Sequence, residues 1–421
     1  MIRTTLALLA ASSIGALCAS TQDIAVQNAK LWTGDRMIEN ATVVIEDGEV
    51  TAVGTGAAIP VGMETIDAEG AWVTPGIFAP YSRAGIVEVG SEVSTNDTAA
   101  GASAYTAALD MSDGFNPLET NVAVTRIQGV TRIAVAPGFG ASLFGGQGFI
   151  ANTSGAANSV DKQKAFMFIN LGEAGSGLSG GSRPAAWAKL RAALVDARTY
   201  PARYFAHNEG DALSRVDALA FGPASRGSQL ILIRVSRASD IRKVIELKAE
   251  SSSLNIALVG AEEGWMVADE LAKAGIPVII DPFANLPSRF ESLGATQYNA
   301  ARLIDAGVPT AFSYFSDDSH QTRLILQVAG NAVANGVDHE DALRAITTVP
   351  AQIYGMAGYG SLQSGSVGDV VIWDGDPLEV TSAPTKIFID GVEQSLESRQ
   401  TRLRDRYLSL DESEKPLAYK H

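Results

Sequence analysis

Short apolar runs separated by turn residues mark both ends of this chain. A longer alternation of apolar runs with helix-period stretches fills its middle. Near the start come Ile24-Ala25-Val26, Thr42-Val43-Val44-Ile45 and Val50-Thr51-Ala52-Val53. Glu46-Asp47-Gly48-Glu49 separates the last two, and Asp-Gly between alternating apolar residues predicts a tight hairpin. The C-terminal part repeats this grammar with Asp369-Val370-Val371-Ile372-Trp373, the turn Asp374-Gly375-Asp376-Pro377, the run Lys386-Ile387-Phe388-Ile389 and the turn Asp390-Gly391. β-rich ends around a long middle predict that the ends pair into one small domain. Between residues 73 and 355 lie apolar runs such as Thr131-Arg132-Ile133-Ala134-Val135, Ala165-Phe166-Met167-Phe168-Ile169, Leu230-Ile231-Leu232-Ile233, Ile256-Ala257-Leu258-Val259, Pro277-Val278-Ile279-Ile280 and Thr310-Ala311-Phe312. Helix-period stretches at 186–198, 238–250, 264–274, 299–306 and 322–334 alternate with them. That alternation predicts a parallel barrel or a doubly wound sheet. Glycine-rich stretches at 138–148 and 172–181 read as loops, and the polar tail 396–421 as a surface helix.

Composition narrows the class. The chain has 421 residues, 46% hydrophobic and 19% charged, which suits a globular protein with a large core. Its net charge of -15 argues against nucleic acid and anionic membrane surfaces, because both reward clustered Lys and Arg. Residues 1–20 read as a signal peptide: Arg3, an apolar stretch over 6–17, then the small residues Ala16, Cys18, Ala19 and Ser20. The apolar stretch is too short to span a bilayer. Leu17 is atypical before a lipidated cysteine, which leaves lipidation at Cys18 open. Cleavage would leave a mature chain without cysteine, so the expected location is periplasmic or secreted.

Several motifs follow one another in order. Gly48-Glu49-Val50 precedes Val73-Thr74-Pro75-Gly76-Ile77-Phe78-Ala79-Pro80-Tyr81-Ser82-Arg83. Asp113-Gly114-Phe115-Asn116-Pro117, Gly129-Val130-Thr131, Pro137-Gly138 and Gly145-Gly146-Gln147-Gly148 come next. The last are Ala342-Leu343-Arg344-Ala345-Ile346-Thr347, Gly365-Ser366-Val367-Gly368-Asp369 and Trp373-Asp374-Gly375-Asp376-Pro377. Together they resemble the amidohydrolase superfamily, most of all its imidazolonepropionase-like branch, over nearly the whole mature chain. The resemblance implies an α/β fold, a TIM-like (β/α)8 barrel with a small composite β-sandwich domain built from both chain ends. The expected domains are a signal peptide at 1–20, the composite domain at 21–72 and 360–395, the barrel at 73–359 and a tail at 396–421.

The same resemblance implies one or two divalent metals such as zinc, held by histidines and an aspartate at the strand ends. Here the first His-x-His pair falls on Tyr81 and Arg83. The run Ile231-Leu232-Ile233-Arg234-Val235-Ser236 puts Arg234 at the next histidine position, with Ser236 after it. In Leu258-Val259-Gly260 the expected histidine is Gly260. Asp317 matches the aspartate that acts as ligand and proton shuttle, and Asp318 follows it. Glu173 is the candidate for the bridging position. The four histidines of the chain, His207, His320, His339 and His421, stand at no ligand spacing. A solvated helix start is expected for His339, and a pocket rim for His320. Neutral Tyr and cationic Arg are poor substitutes for imidazole, so the expectation is no bound metal or other cofactor.

The stretch 138–148 lacks the Lys of a phosphate loop, so it reads as a barrel loop near the site, with Gln147 able to reach a ligand. No Gly-x-Ser-x-Gly elbow supports a serine nucleophile. Three readings remain. The first is a non-catalytic homologue acting as a binding or assembly partner, as a homo-oligomer or with an active paralogue. Its pocket of Tyr81, Arg83, Arg234 and Arg237 would suit a small anionic molecule or peptide end. The second is a hydrolase of amide, peptide or cyclic amide C–N bonds with an altered or metal-free centre, using Asp317, Asp318, Glu173 and His320. The third is a purely structural role.

Overall fold

The computed structural model describes residues 22–200, 202, 211–315 and 319–408. The expected signal peptide, Cys18, His207, Asp317 and Asp318 lie outside the described residues. The chain begins with β1 (Ile24–Trp32), β2 (Met37–Glu46), β3 (Glu49–Gly54), β4 (Glu64–Asp67) and β5 (Trp72–Pro75). Asp47 and Gly48 take positive φ of 50° and 83° between β2 and β3, the geometry that an Asp-Gly hairpin turn requires.

Eight strands then follow in chain order around a nearly closed barrel. They are β6 (Ile77–Ser82), β7 (Val130–Val135), β8 (Phe144–Asn152), β9 (Val160–Asn170), β10 (Leu230–Val235), β11 (Ile256–Gly260), β12 (Val278–Ile280) and β13 (Thr310–Phe312). At the seam the Ser313 hydroxyl donates to the Tyr81 carbonyl at 2.8 Å. Outward residues such as Ile231, Ile233 and Leu258 share a core with Leu190, Ile241 and Val244 of the helices Arg183–Thr199 and Ala238–Glu250.

β8 departs from the expected pattern. It runs antiparallel to both β7 and β9, and it starts inside the stretch read as a loop. Its glycines are there for contact. A Cβ at Gly148 would come within 2.1 Å of the Phe166 ring, and one at Gly145 within 2.8 Å of Phe168.

The last strands are β14 (Val370–Trp373), β15 (Pro384–Ile389) and β16 (Val392–Glu393). β14 pairs antiparallel with β5, setting Val371 opposite Thr74, so both chain ends enter one eight-stranded sheet. Ile24, Val26, Leu31, Val43, Ile45, Val370 and Phe388 form its core.

Two polar joints tie this sheet to the barrel. Arg132 of β7 is fully buried and meets Asp369 and Asp161 at 2.8 Å each and Asp390 at 2.5 Å. His339 opens the helix His339–Ala345 and stays partly exposed as expected, but it is also engaged. Its Nε2 lies 2.8 Å from Asp376, and its ring tilts against Trp72 at 5.5 Å. The helix Arg399–Leu408 buries no residue, in keeping with a surface tail. No helix among the described residues is long and apolar enough to cross a membrane.

Candidate functional site

Strand alternation decides which side chains face the barrel interior. Phe166 and Phe168 on β9, Leu230 and Leu232 on β10, Ile279 on β12 and Ala311 on β13 belong to one inner cluster with Phe78, Tyr81 and Tyr354. Two residues further along each strand, the inward positions at the C-terminal mouth fall on Asn170, Arg234, Asp281 and Ser313. Aromatic rings fill the lumen below them. Tyr354 stacks on Phe78 at 5.9 Å and tilts on Phe166 at 5.3 Å, while Tyr81 meets Phe315 edge-on at 5.3 Å.

Arg234 tops this column. Its guanidinium lies 5.5 Å from the Phe139 ring and 5.6 Å from Phe315, a contact set typical of cation–π attraction. Among the described residues it makes no ion pair. Around the mouth, the buried polar atoms with no protein partner among the described residues include the Tyr81 hydroxyl, Asn170 Nδ2, the Ser236 hydroxyl and Glu262 Oε2. A buried polar atom without a partner costs about 1–3 kcal/mol, so such a set invites a ligand or ordered water.

Several neighbouring charges are paired. Asp240 meets Arg183 at 2.8 Å and Arg237 at 2.9 Å, which removes Arg237 from the free positive set expected above. Glu262 takes Arg289 at 3.1 Å, and buried Glu291 has Arg183 at 3.6 Å and Arg289 at 3.8 Å. Glu291 also accepts from the Glu173 backbone N–H at 2.6 Å, holding the turn that carries Glu173 at the rim. Burial raises the carboxyl of Glu291. Asp281 accepts from the Phe283 and Phe315 backbone N–H groups at 2.9 and 3.2 Å. Burial, helped by the charge of Glu262, pushes its carboxyl up to about 6 against the pull of those two bonds.

The structure therefore brings Tyr81, Arg83, Glu173, Arg234 and Ser236 to the mouth. Arg83 is half-buried just beyond β6, and half-buried His320 sits on the short helix Ser319–Leu324. Gln147 is not with them. It sits at the opposite end of the barrel, where its Oε1 accepts from Gln229 at 3.1 Å. The expectation failed because its stretch is a strand running down the wall. Asp281, Glu262, Glu291, Arg289 and Asn170 were missed. Asp281 was within reach of sequence reasoning, since a charged residue in step with Ile279 must face inward.

A divalent ion of this fold needs three or four imidazole or carboxylate donors. The described residues do not fit one. Among the described residues no three His, Cys, Asp or Glu converge. Glu262 and Glu291 are held by guanidinium groups, and both oxygens of Asp281 by backbone N–H groups. At Gly260, the position read from the sequence as an expected histidine, the backbone is unsuited to a side chain. Gly260 has φ 98°, and a Cβ there would lie 3.0 Å from the Val235 carbonyl and 3.1 Å from Glu262 Oε2. Ala261 follows at φ 46°.

A sequence profile described as "Amidohydrolase family" matches residues 99–394. The amidohydrolase tasK of Hapsidospora irregularis is 23% identical over 397 residues, which cover 86% of this chain and 40% of that protein. The imidazolonepropionase of Ruegeria pomeroyi is 29% identical over 206 residues, covering 45% of this chain and 50% of that enzyme. The chain thus spans half or less of the length of these relatives. The crystal structure of an amidohydrolase from Thermotoga maritima superposes with a TM-score of 0.78 at 24% identity, covering 88% of this chain and 99% of that one.

Proposed function

We propose that this chain, which belongs to the amidohydrolase family, is an exported non-catalytic homologue that binds a small carboxylate-bearing molecule or peptide end at its barrel mouth. One observation carries the reading. The guanidinium of Arg234 stands between Phe139 and Phe315 without a counter-ion among the described residues, beside the unpartnered donors of Tyr81, Asn170 and Ser236. A carboxylate there gains charge-assisted hydrogen bonds in a half-buried setting. The ammonium of a zwitterion would find Glu262 Oε2. Export is proposed on the signal-like pattern of residues 1–20.

An assembly partner beside the mouth is supported by four exposed apolar side chains after β12: Phe283, Leu286, Phe290 and Leu293. A second reading, a C–N hydrolase with an altered centre, is favoured by Asp281, whose carboxyl near 6 suits proton transfer at neutral pH.

Elemental analysis and calorimetric titration with succinate and the dipeptide Ala-Ala decide between these readings. The expected results are well under one equivalent of zinc, iron or manganese, and saturable binding weakened about 10- to 100-fold by Arg234→Met. Near-stoichiometric metal, with hydrolysis abolished by Asp317→Asn, would overturn the non-catalytic reading.

A further inference from the structure

We infer that the end of the barrel opposite the mouth carries a second, separate binding site for a small organic anion that also bears an N–H or O–H donor. A cavity of about 590 Å³ opens there, lined by Ala165 of β9, Leu230 of β10, the residues just before β11, β12 and β13, and the end of the helix Thr348–Tyr354. Its volume is within the range of small-molecule sites. In barrels of this architecture that face serves stability, so an open polar group in its wall is not something the fold itself calls for.

Gln229 is such a group. It is only 8% exposed. Its Nε2 donates to Gln147 Oε1 at 3.1 Å and to the Lys164 carbonyl at 2.7 Å. The Lys164 carbonyl, which can only accept, fixes the orientation of the amide. Oε1 is then an acceptor, and no donor among the described residues reaches it. Lys164 adopts φ 48°, unusual for a residue with a side chain, where the pairing of β8 with β9 shifts register. That backbone carries the carbonyl that orients Gln229.

The charges in the wall are of one sign. Lys162 gives one N–H to the Tyr354 carbonyl at 2.8 Å and has two more to offer. Lys164 approaches Asp110 no closer than 3.7 Å and is 56% exposed. Among the described residues that line the cavity there is no Asp or Glu. Two ammonium groups attract an anion, and the open Gln229 oxygen asks for a donor on the same molecule. A carboxylate with a neighbouring amide N–H meets both demands. The aromatic layers of Phe78, Phe166 and Tyr354 fill the lumen between this cavity and the mouth, so the two sites are independent.

The test is calorimetric titration of the full chain with N-acetylglycine, with neutral N-acetylglycinamide as control. Saturable binding of the acid is expected, with the amide bound far more weakly. Lys162→Met and Gln229→Leu should each weaken this binding roughly tenfold, while Arg234→Met, which removes any binding of the same acid at the mouth, should leave a saturable component in place. Should Gln229→Leu not fold, Lys162→Met alone decides. The inference is overturned if N-acetylglycine does not saturate. It is equally overturned if Lys162→Met binds like the wild type, or if Arg234→Met abolishes binding and thereby places the ligand at the mouth.

Discussion

Glu119 gives the structure a titration that can be read directly. It precedes the helix Thr120–Arg126 and is 2% exposed. Its Oε1 accepts from the Asn121 backbone N–H at 2.9 Å and its Oε2 from that of Gly85 at 3.1 Å. Burial pushes its carboxyl from 4.5 to about 7, the charge of Glu88 adds to the rise, and the two N–H groups oppose it. A shift of that size, at 1.36 kcal/mol per pH unit, amounts to about 3 kcal/mol. The sign follows from proton binding. Between about pH 4.5 and pH 7 the folded chain keeps a proton that the unfolded chain has released. The associated stability is therefore complete below about 4.5 and is lost as pH rises through about 7. Glu119→Gln keeps the size and removes the charge at every pH. Urea unfolding of both proteins between about pH 4.5 and pH 8.5 should show the variant gaining on the wild type by about 3 kcal/mol as pH rises. The common background of the acidic chain cancels in the difference. A difference that stays flat across this range would mean that the Glu119 carboxylate is not desolvated, and would refute the reasoning.

Arg132→Met should cost about 3–5 kcal/mol in urea unfolding, because it strands the carboxylates of Asp161, Asp369 and Asp390 around an apolar side chain. A loss below about 1 kcal/mol would show that this cluster is not a joint between barrel and sheet. Gly260→His should lower the melting temperature without conferring zinc binding, since the new side chain needs a backbone that positive φ and Glu262 deny it. Stoichiometric zinc in that variant would contradict the geometry of the mouth.

The period of the apolar residues made most of the barrel legible. The runs beginning at Thr131, Ala165, Leu230, Ile256 and Thr310 all fall within strands of the barrel. The pairing of the two chain ends was legible from Asp-Gly turns at matched places. Strand β8 was not. Glycine signals a loop when only the chain is seen, and its role against the rings of Phe166 and Phe168 appears only when three strands are side by side. At the mouth, the positions of Tyr81, Arg83 and Arg234 followed from strand-anchored motifs. The pairing of Arg289 with Glu262 and Glu291 depends on loops whose reach the sequence does not encode in any period, whereas Arg237 and Asp240 are an i,i+3 pair at a helix start that spacing alone could have signalled.

The pairing at the mouth has a chemical consequence. Several carboxylates at the ends of parallel strands repel one another and favour a cation among them. Here guanidinium groups meet that demand for Glu262, Glu291 and Asp240. A guanidinium neutralises as well as a metal does, but its charge is spread over a plane of N–H donors with no vacant orbital. It can hold a carboxylate or steady an oxyanion, yet it cannot lower the pKa of a bound water as a metal does. On the proposed non-catalytic reading, arginine in place of an ion would preserve the electrostatic balance of the barrel end and leave no metal to activate water. Arg234, flanked by two rings, is a cation at the mouth that pairs with no carboxylate among the described residues. On the proposed reading, that charge is what a carboxylate-bearing ligand would meet.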